Sequence, residues 1–269
     1  LILDVLESEK AINQFNVDSS CIRPFLGSQE FIRGIERRCV WLSESDYSKA
    51  TENEWLKERF ECVKQQRSES RRATTKQLAA VPFRFGEVRQ TGTEIITIIP
   101  KVSSETREYL PVGLLNSGSI VSDLAFALYD APLWNMALIA SRLHLVWIAT
   151  VCGKLETRYR YSNTLGWNTF PVPTLTDRNK TDLTRCAEDI LLAREAHFPA
   201  TIAELYAPDK MPENLRQAHD RNDEILERIY IGRRFKNDTE RLEKLFELYT
   251  QMTTPQALPK KPAKGKIHP

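Results

Sequence analysis

The sequence changes character at Pro171-Val172-Pro173, and this change constrains the fold more than any other feature. Before this point β-branched runs are mixed with helical patterns, whereas after it the apolar residues follow helical spacing alone. Strands grouped ahead of a purely helical segment are typical of α+β folds. We therefore predict an α+β protein with a mixed sheet-and-helix domain over 1–173, a small helical bundle over 174–253, and a flexible Lys/Pro-rich tail over 254–269.

The first 173 residues contain predicted elements of both types. Two apolar runs at 31–35 and 38–42 predict a hairpin around Gly34. A helix is predicted from Asp46 to Leu78, with a break within 68–75, where poor helix formers gather. The remaining predicted elements are strands at 94–99 and 109–115 and a core helix at 134–151.

The bundle is predicted from apolar stripes on successive helices. One helix begins near Pro212, a residue suited to a first helical position, and ends at Gly232. Another is predicted to be capped by Asp238. Short helices of this kind gain their stability from packing, so we expect them to lie against one another and against the first domain.

Composition and cysteine spacing narrow the possible functions. The five cysteines form no Cys-x-x-Cys pair, which argues against a disulfide framework or a zinc knuckle and favours reduced thiols in a cytoplasmic protein. The apolar stretch 136–151 contains Ser141, Arg142 and His144 and is too short for a membrane span. Lys and Arg number 38 against 36 Asp and Glu, so any DNA-binding surface requires local segregation of charge.

Catalytic patterns are scarce. The chain holds no Gly-rich phosphate loop, no Gly-x-Ser-x-Gly elbow and no His-Glu-x-x-His helix. His144 lies in the apolar helix and is interpreted as a hydrogen-bonded core residue. His219 and Asp223 are one helical turn apart and could share a metal or a proton, although an exposed polar helix face is the simpler interpretation.

One segment is locally basic. Between 59 and 76 six basic residues face two acids. A solvated helix face explains this pattern, and so does a surface that contacts DNA phosphates, because Lys and Arg near a duplex release counterions. The basic residues are Arg59, Lys64, Arg67, Arg71, Arg72 and Lys76.

In a second segment, 153–162, uncharged and charged residues alternate from Leu155 onward. A continuous strand would place Glu156, Arg158 and Arg160 on one face, with Leu155 on the other. Arg can donate a bidentate fork to guanine, and a carboxylate can accept from the amino group of cytosine. An ion pair on an ordinary surface strand accounts for the same alternation.

At these residues the chain resembles the C-terminal part of MmeI-like type II restriction–modification enzymes and related large DNA methyltransferases. The resemblance covers most of the chain in the family's order. Its pieces are IRPFLGSQEFIRGIERRCVWL at 22–42, IPKVSSETREYLPVGLL at 99–115, SRLHLVWIATVCGKLETRYRYSNTLGWNTFPVP at 141–173, AELYAPDKMPENLRQAHDRNDEILERIY at 203–230 and RLEKLFELYTQMT at 241–253.

The resemblance implies that 1–173 is a DNA target recognition domain and 174–253 a C-terminal helical domain. It implies double-stranded DNA and an adenine methyltransferase core of the same polypeptide as partners, with no membrane involved. The core's Asn/Asp-Pro-Pro-Tyr/Phe element is absent from this sequence. S-adenosylmethionine and Mg are therefore expected for the parent protein and no cofactor for this chain, which we expect to be non-catalytic by itself.

The resemblance also assigns residues. It implies that Glu156 and Arg158 together read one base pair, that Arg160 helps to read another, and that the loop 116–124 contributes. We add phosphate contacts from the basic segment at Arg67, Arg71, Arg72 and Lys76. The alternative function is a protein-interaction subunit of a phage-defence assembly that does not read bases.

Overall fold

The computed structural model describes residues 1–254 and confirms the α+β class, with small sheets ahead of a run of long helices. The strands are β1 Ile2–Leu3, β2 Ile22–Leu26, β3 Arg38–Val40, β4 Ile96–Pro100, β5 Val102–Ser103, β6 Gly113–Leu115, β7 Ile120–Val121, β8 Ala125–Tyr129, β9 Lys154–Leu155 and β10 Arg158–Arg160. The predicted flexible tail over 254–269 lies outside the described residues, apart from Thr254.

The helices fall on both sides of the Pro171-Val172-Pro173 segment. They are α1 Val5–Asn13, α2 Ser28–Arg33, α3 Glu44–Ala50, α4 Glu54–Ser68, α5 Ala73–Gln77, α6 Trp134–Ile139, α7 Arg142–Val151, α8 Asp177–Glu195, α9 Ile202–Leu205, α10 Glu213–Ile231 and α11 Asp238–Thr253. Within the described residues, none is long and apolar enough to cross a membrane.

The strands form three small sheets. One has the order β1-β3-β2-β7, in which only the β2–β7 pair is parallel. The second is antiparallel, with β4 between β6 and β8. The third is also antiparallel, with β10 between β5 and β9. Because β10 belongs to this third sheet, the segment resembling the family's base-reading element is held by backbone hydrogen bonds on both sides.

The predicted hairpin around Gly34 is wrong. Residues 28–33 form α2, and Gly34 ends this helix in the left-handed conformation with φ 65°. The buried carboxylate of Glu30 accepts from the Gly27 N–H at 2.9 Å and caps the helix. A run of five apolar and charged residues is too short to distinguish a strand from one helical turn by periodicity.

The two long predicted helices are both interrupted. The predicted 46–78 helix is divided into α3, α4 and α5, and the expected break within 68–75 is confirmed at 69–72, between α4 and α5. The predicted 134–151 helix is two helices, because Ser141 leaves the helical conformation and its hydroxyl accepts from the His144 N–H at 3.2 Å. The core position of this segment is confirmed, since α6 and the first half of α7 are buried.

A central core joins the two parts of the chain. It is formed mainly by apolar residues of α6, α7, α8 and α10. A smaller core surrounds Phe60 and Leu3 near the start of the chain. Because α6 and α7 have apolar side chains on nearly every side, they are covered by both the sheets and the C-terminal helices. The predicted packing of the bundle on the first part is thus confirmed.

The C-terminal helices also contain a fully buried acid. Glu227 on α10 accepts from the Nε of Arg241 at 2.8 Å and from the Phe235 N–H at 2.9 Å. A buried carboxylate of this kind is tolerated only when its oxygens accept hydrogen bonds and its charge is paired. Glu227 therefore fixes the turn between α10 and α11.

We predict that Glu227→Ala lowers the free energy of unfolding by about 3–5 kcal/mol, because the largely buried Arg241 guanidinium keeps only Asp238 as a partner and the Phe235 N–H loses its acceptor. Urea unfolding measures the change. The control is Glu224→Ala on the same helix, whose exposed pair with Arg228 should contribute about 0.3–0.5 kcal/mol. Equal losses in the two variants would contradict the assignment.

Candidate nucleic-acid interface

The predicted reading segment is a tight hairpin. Strand β9 ends at Leu155, the residues Glu156 and Thr157 form a two-residue turn, and β10 begins at Arg158. Glu156 has φ 59°, a left-handed conformation that is uncommon for a residue other than Gly. The prediction that Glu156 lies on the face of a continuous strand with Arg158 and Arg160 is therefore wrong, because the chain reverses at Glu156.

The structure nevertheless brings Glu156 and Arg158 together. The Nη2 of Arg158 donates to the Oε2 of Glu156 at 2.8 Å. The Glu156 side chain is 74% exposed and that of Arg158 is 43% exposed, so both tips remain accessible to solvent. An exposed pair of this kind adds little to folding stability. It fixes a carboxylate beside a guanidinium at the tip of the hairpin.

Two faces of the hairpin have different surroundings. Arg158 and Arg160 share one face, as predicted, because side chains alternate along β10. Tyr159 lies on the opposite face and packs against the central core. Arg160 is exposed, and its guanidinium makes no hydrogen bond to any residue within 1–254. The face carrying the two arginines, called the outer face below, therefore points away from the core.

The end of β10 is anchored to the core. Tyr161 is buried, and its hydroxyl forms a 3.0 Å hydrogen bond with the Nε2 of His144 on α7. Burial lowers the pKa of His144 to about 3, which keeps this side chain neutral. The interpretation of His144 as a hydrogen-bonded core residue is confirmed.

One hydroxyl links the hairpin sheet to the loop 116–124. Ser28 donates to the carbonyl of Leu124 and accepts from the Lys101 N–H, the latter at 2.9 Å. The carbonyl of Lys101 in turn accepts from the Tyr161 N–H at 2.8 Å. Ser28 lies within the 22–42 piece of the family resemblance, which assigns it no role. No sequence signal could find this link, because its partners lie 73 and 96 residues away.

The loop 116–124 passes close to Arg23. Gly118 has φ 93°, and a Cβ at this position would lie 3.2 Å from the Nη1 of Arg23 on β2. Strand β7 within this loop pairs with β2, with Ile120 opposite Phe25. The loop is therefore held at its start by a glycine turn and at its end by Ser28.

The prediction that Arg67 contacts phosphate is not supported by its surroundings. Its guanidinium donates to the carbonyls of Leu78 and Val81 at 2.9 Å and to that of Arg84 at 2.6 Å. These bonds fold the 78–84 segment back onto α4. Arg67 is thus occupied as a structural cross-link, which charge patterning along the sequence cannot distinguish from a surface contact.

The rest of the basic segment divides in two. Arg59 pairs with Glu7 at 2.5 Å and Lys64 with Glu61 at 3.2 Å. Three basic residues of the segment, Arg71, Arg72 and Lys76, are exposed on and just before α5 and form no ion pair within the described residues. The predicted phosphate-contacting surface therefore reduces to these three residues.

The interpretation of His219 and Asp223 as an exposed polar face is wrong, because both are buried. The Nε2 of His219 forms a 2.7 Å hydrogen bond with the Tyr206 hydroxyl, and Asp223 accepts from the Arg142 N–H at 2.8 Å. The two residues therefore have separate partners. Within 1–254 no cluster of three or more His, Cys, Asp or Glu residues is placed to hold a metal.

Comparison with known proteins now identifies the family. The family model described as the MmeI target recognition domain matches residues 1–174. The chain belongs to the MmeI family. A second model, the MmeI C-terminal domain, matches residues 175–256. The resemblance found in the sequence is confirmed.

The chain is similar to two known proteins. DNA methyltransferase A of Bacillus subtilis (strain 168) is 40% identical over 253 residues, which cover 94% of this chain and 29% of the relative. The solved structure of the type IIL restriction–modification enzyme MmeI in complex with DNA matches with a TM-score of 0.87 and 30% identity, over 94% of this chain and 34% of that one. The chain thus spans about a third of the length of each relative.

We predict that Arg67→Ala destabilises the protein by about 2–3 kcal/mol, because three carbonyls lose a charged donor. Arg71→Ala is the matched control and should change the free energy of unfolding by less than about 0.5 kcal/mol. Chemical denaturation compares the two. A stable Arg67→Ala protein with reduced DNA affinity would restore the phosphate role of Arg67.

We also predict a pH dependence from Asp223, whose pKa is raised to about 7, chiefly by burial. Its pKa in the unfolded chain is about 3.9. Because folding favours the protonated acid, the stabilisation is complete below about pH 4 and is lost as the pH rises through about 7. Relative to the wild type, Asp223→Asn should therefore gain stability between pH 4 and pH 8. A difference in unfolding free energy that stays constant over this range would contradict the prediction.

Proposed function

We propose that this chain is the DNA recognition module of a restriction–modification methyltransferase and that the 154–160 hairpin reads base sequence in double-stranded DNA. The observation that carries the proposal is the contact between Glu156 and Arg158 at an exposed hairpin tip whose other face is fixed to the core. A two-stranded ribbon of this width fits the major groove.

The chemistry of the tip matches a G·C base pair. The Arg158 guanidinium can donate to the O6 and N7 of guanine, and the Glu156 carboxylate can accept from the N4 amino group of cytosine. Their mutual contact at 2.8 Å orients the guanidinium before DNA arrives. Arg160 lies two residues further along the same strand, about 7 Å away, and is placed to help read another base pair about two steps along the duplex.

The relatives support this proposal. The related MmeI was solved in complex with DNA, and the B. subtilis relative is described as a DNA methyltransferase. We propose that residues 1–173 recognise the target, that 174–253 form a helical domain packed behind them, and that Arg71, Arg72 and Lys76 contact phosphates. Such contacts fix the register of the protein on the duplex without reading sequence.

A second part of the proposal concerns the methylation of the recognised DNA. We propose that the module holds its site so that a methyltransferase core outside this chain can rotate an adenine out of the duplex and methylate it. S-adenosylmethionine, and Mg for any cleavage, would bind that core. The residues of this chain bind and orient the duplex.

Arg158→Ala in the full-length protein should weaken binding to the preferred site by about 1–3 kcal/mol and relax the preference at one base pair. Glu156→Gln should relax the same position, because it replaces an acceptor-only carboxylate with an amide that also donates. Selection from a randomised duplex pool, followed by titration, measures both effects.

The control is Lys76→Ala, which should weaken all sequences alike and reduce the slope of log K against log salt by about one. An unchanged site preference in Arg158→Ala would contradict base reading by the hairpin. Binding without any sequence preference or salt dependence in the wild type would favour a protein-interaction role.

A further inference from the structure

The turn at Glu156 changes the position of one apolar residue. A continuous strand would place Leu155 with Tyr159 and Tyr161, on the face that is buried. In the hairpin, Leu155 is paired directly with Arg158. Directly paired residues of antiparallel strands project to the same side. Leu155 therefore lies on the outer face with Arg158 and Arg160.

Leu155 is an exposed apolar residue of the hairpin. Its side chain is 42% exposed, whereas Tyr159 on the opposite face packs against the central core. A single exposed leucine is common on proteins, so exposure alone indicates nothing. What distinguishes Leu155 is its position directly opposite Arg158 and directly before Glu156.

The only apolar group on the major-groove edge of a base pair is the C5-methyl of thymine, and apolar side chains contact it. Paired residues of an antiparallel ladder have Cβ atoms about 5 Å apart. Successive base pairs are separated by about 3.4 Å. With Arg158 on one base pair, the Leu155 side chain is within reach of the next.

Resting on the proposed function, we propose that Leu155 is a specificity-determining residue that selects thymine, through its C5-methyl, in the base pair next to the one read by Glu156 and Arg158. The proposal adds an apolar contact to the three charged residues that the family resemblance implies. It also accounts for a leucine held in solvent between Lys154 and Glu156.

Replacing that thymine with deoxyuridine in the selected site removes only the methyl group and tests the contact. Full-length wild-type protein should bind the deoxyuridine duplex about 3–10-fold more weakly than the thymine duplex. Leu155→Ala should bind the two duplexes equally, with an affinity near that of the wild type for deoxyuridine. Leu192→Ala, a bundle leucine with 62% exposure, is the matched control and should keep the wild-type ratio.

The proposal is overturned if the wild type binds both duplexes within twofold, if Leu155→Ala keeps the wild-type ratio, or if the selected site has no thymine next to the pair altered by Arg158→Ala. Its failure is distinguishable from that of the proposed function. If Arg158→Ala loses base preference while Leu155→Ala keeps the wild-type thymine-to-deoxyuridine ratio, only the role of Leu155 is removed. A wild type without base preference removes both.

Discussion

The burial of α6 and α7 on all sides is the constraint on which the rest of the structure depends. These helices carry too many apolar side chains to lie at the edge of a domain, so the sheets cover one side and the C-terminal helices the other. The hydrogen bond between His144 on α7 and Tyr161 then fixes the end of β10. The position of the hairpin therefore follows from the same packing that joins the two parts of the chain.

Many charged side chains within residues 1–254 are bound by local partners, whereas others on the surface are not. Arg241 is paired with Glu227 within the C-terminal helices, Arg142 is paired with Asp238 between these helices and the first part of the chain, and Arg67 is bound to backbone carbonyls. Arg160 remains without such a partner in the described part of the chain, on a face turned away from the core. With a net charge of only +2, a DNA surface has to be formed by such local exceptions.

Separation of the outer face from the core has a consequence for the proposed function. Glu156, Arg158 and Arg160 have exposed tips, while Tyr159 and Tyr161 carry the packing. Substitutions on the outer face should therefore change the bases that are read at little cost in stability. The link through Ser28 holds the loop 116–124 and the hairpin sheet in a fixed relation, so two reading elements would meet the duplex as one surface.

The sequence by itself determined the α+β class, the strand predicted at 94–99 and found at 96–100, the buried segment 134–151 and the residue types of the candidate site. Periodicity and residue chemistry are local properties, which is why these features could be predicted. Only the tertiary structure decided that Arg67 binds carbonyls and that His219 and Asp223 are buried, since their partners lie far along the chain or on other elements. It also decided the turn at Glu156, because a two-residue turn leaves the alternation of charged and uncharged residues in the sequence unchanged. The physical reason is that the pairing of β10 with β5 and β9, which no local pattern encodes, sets which side chains face outward.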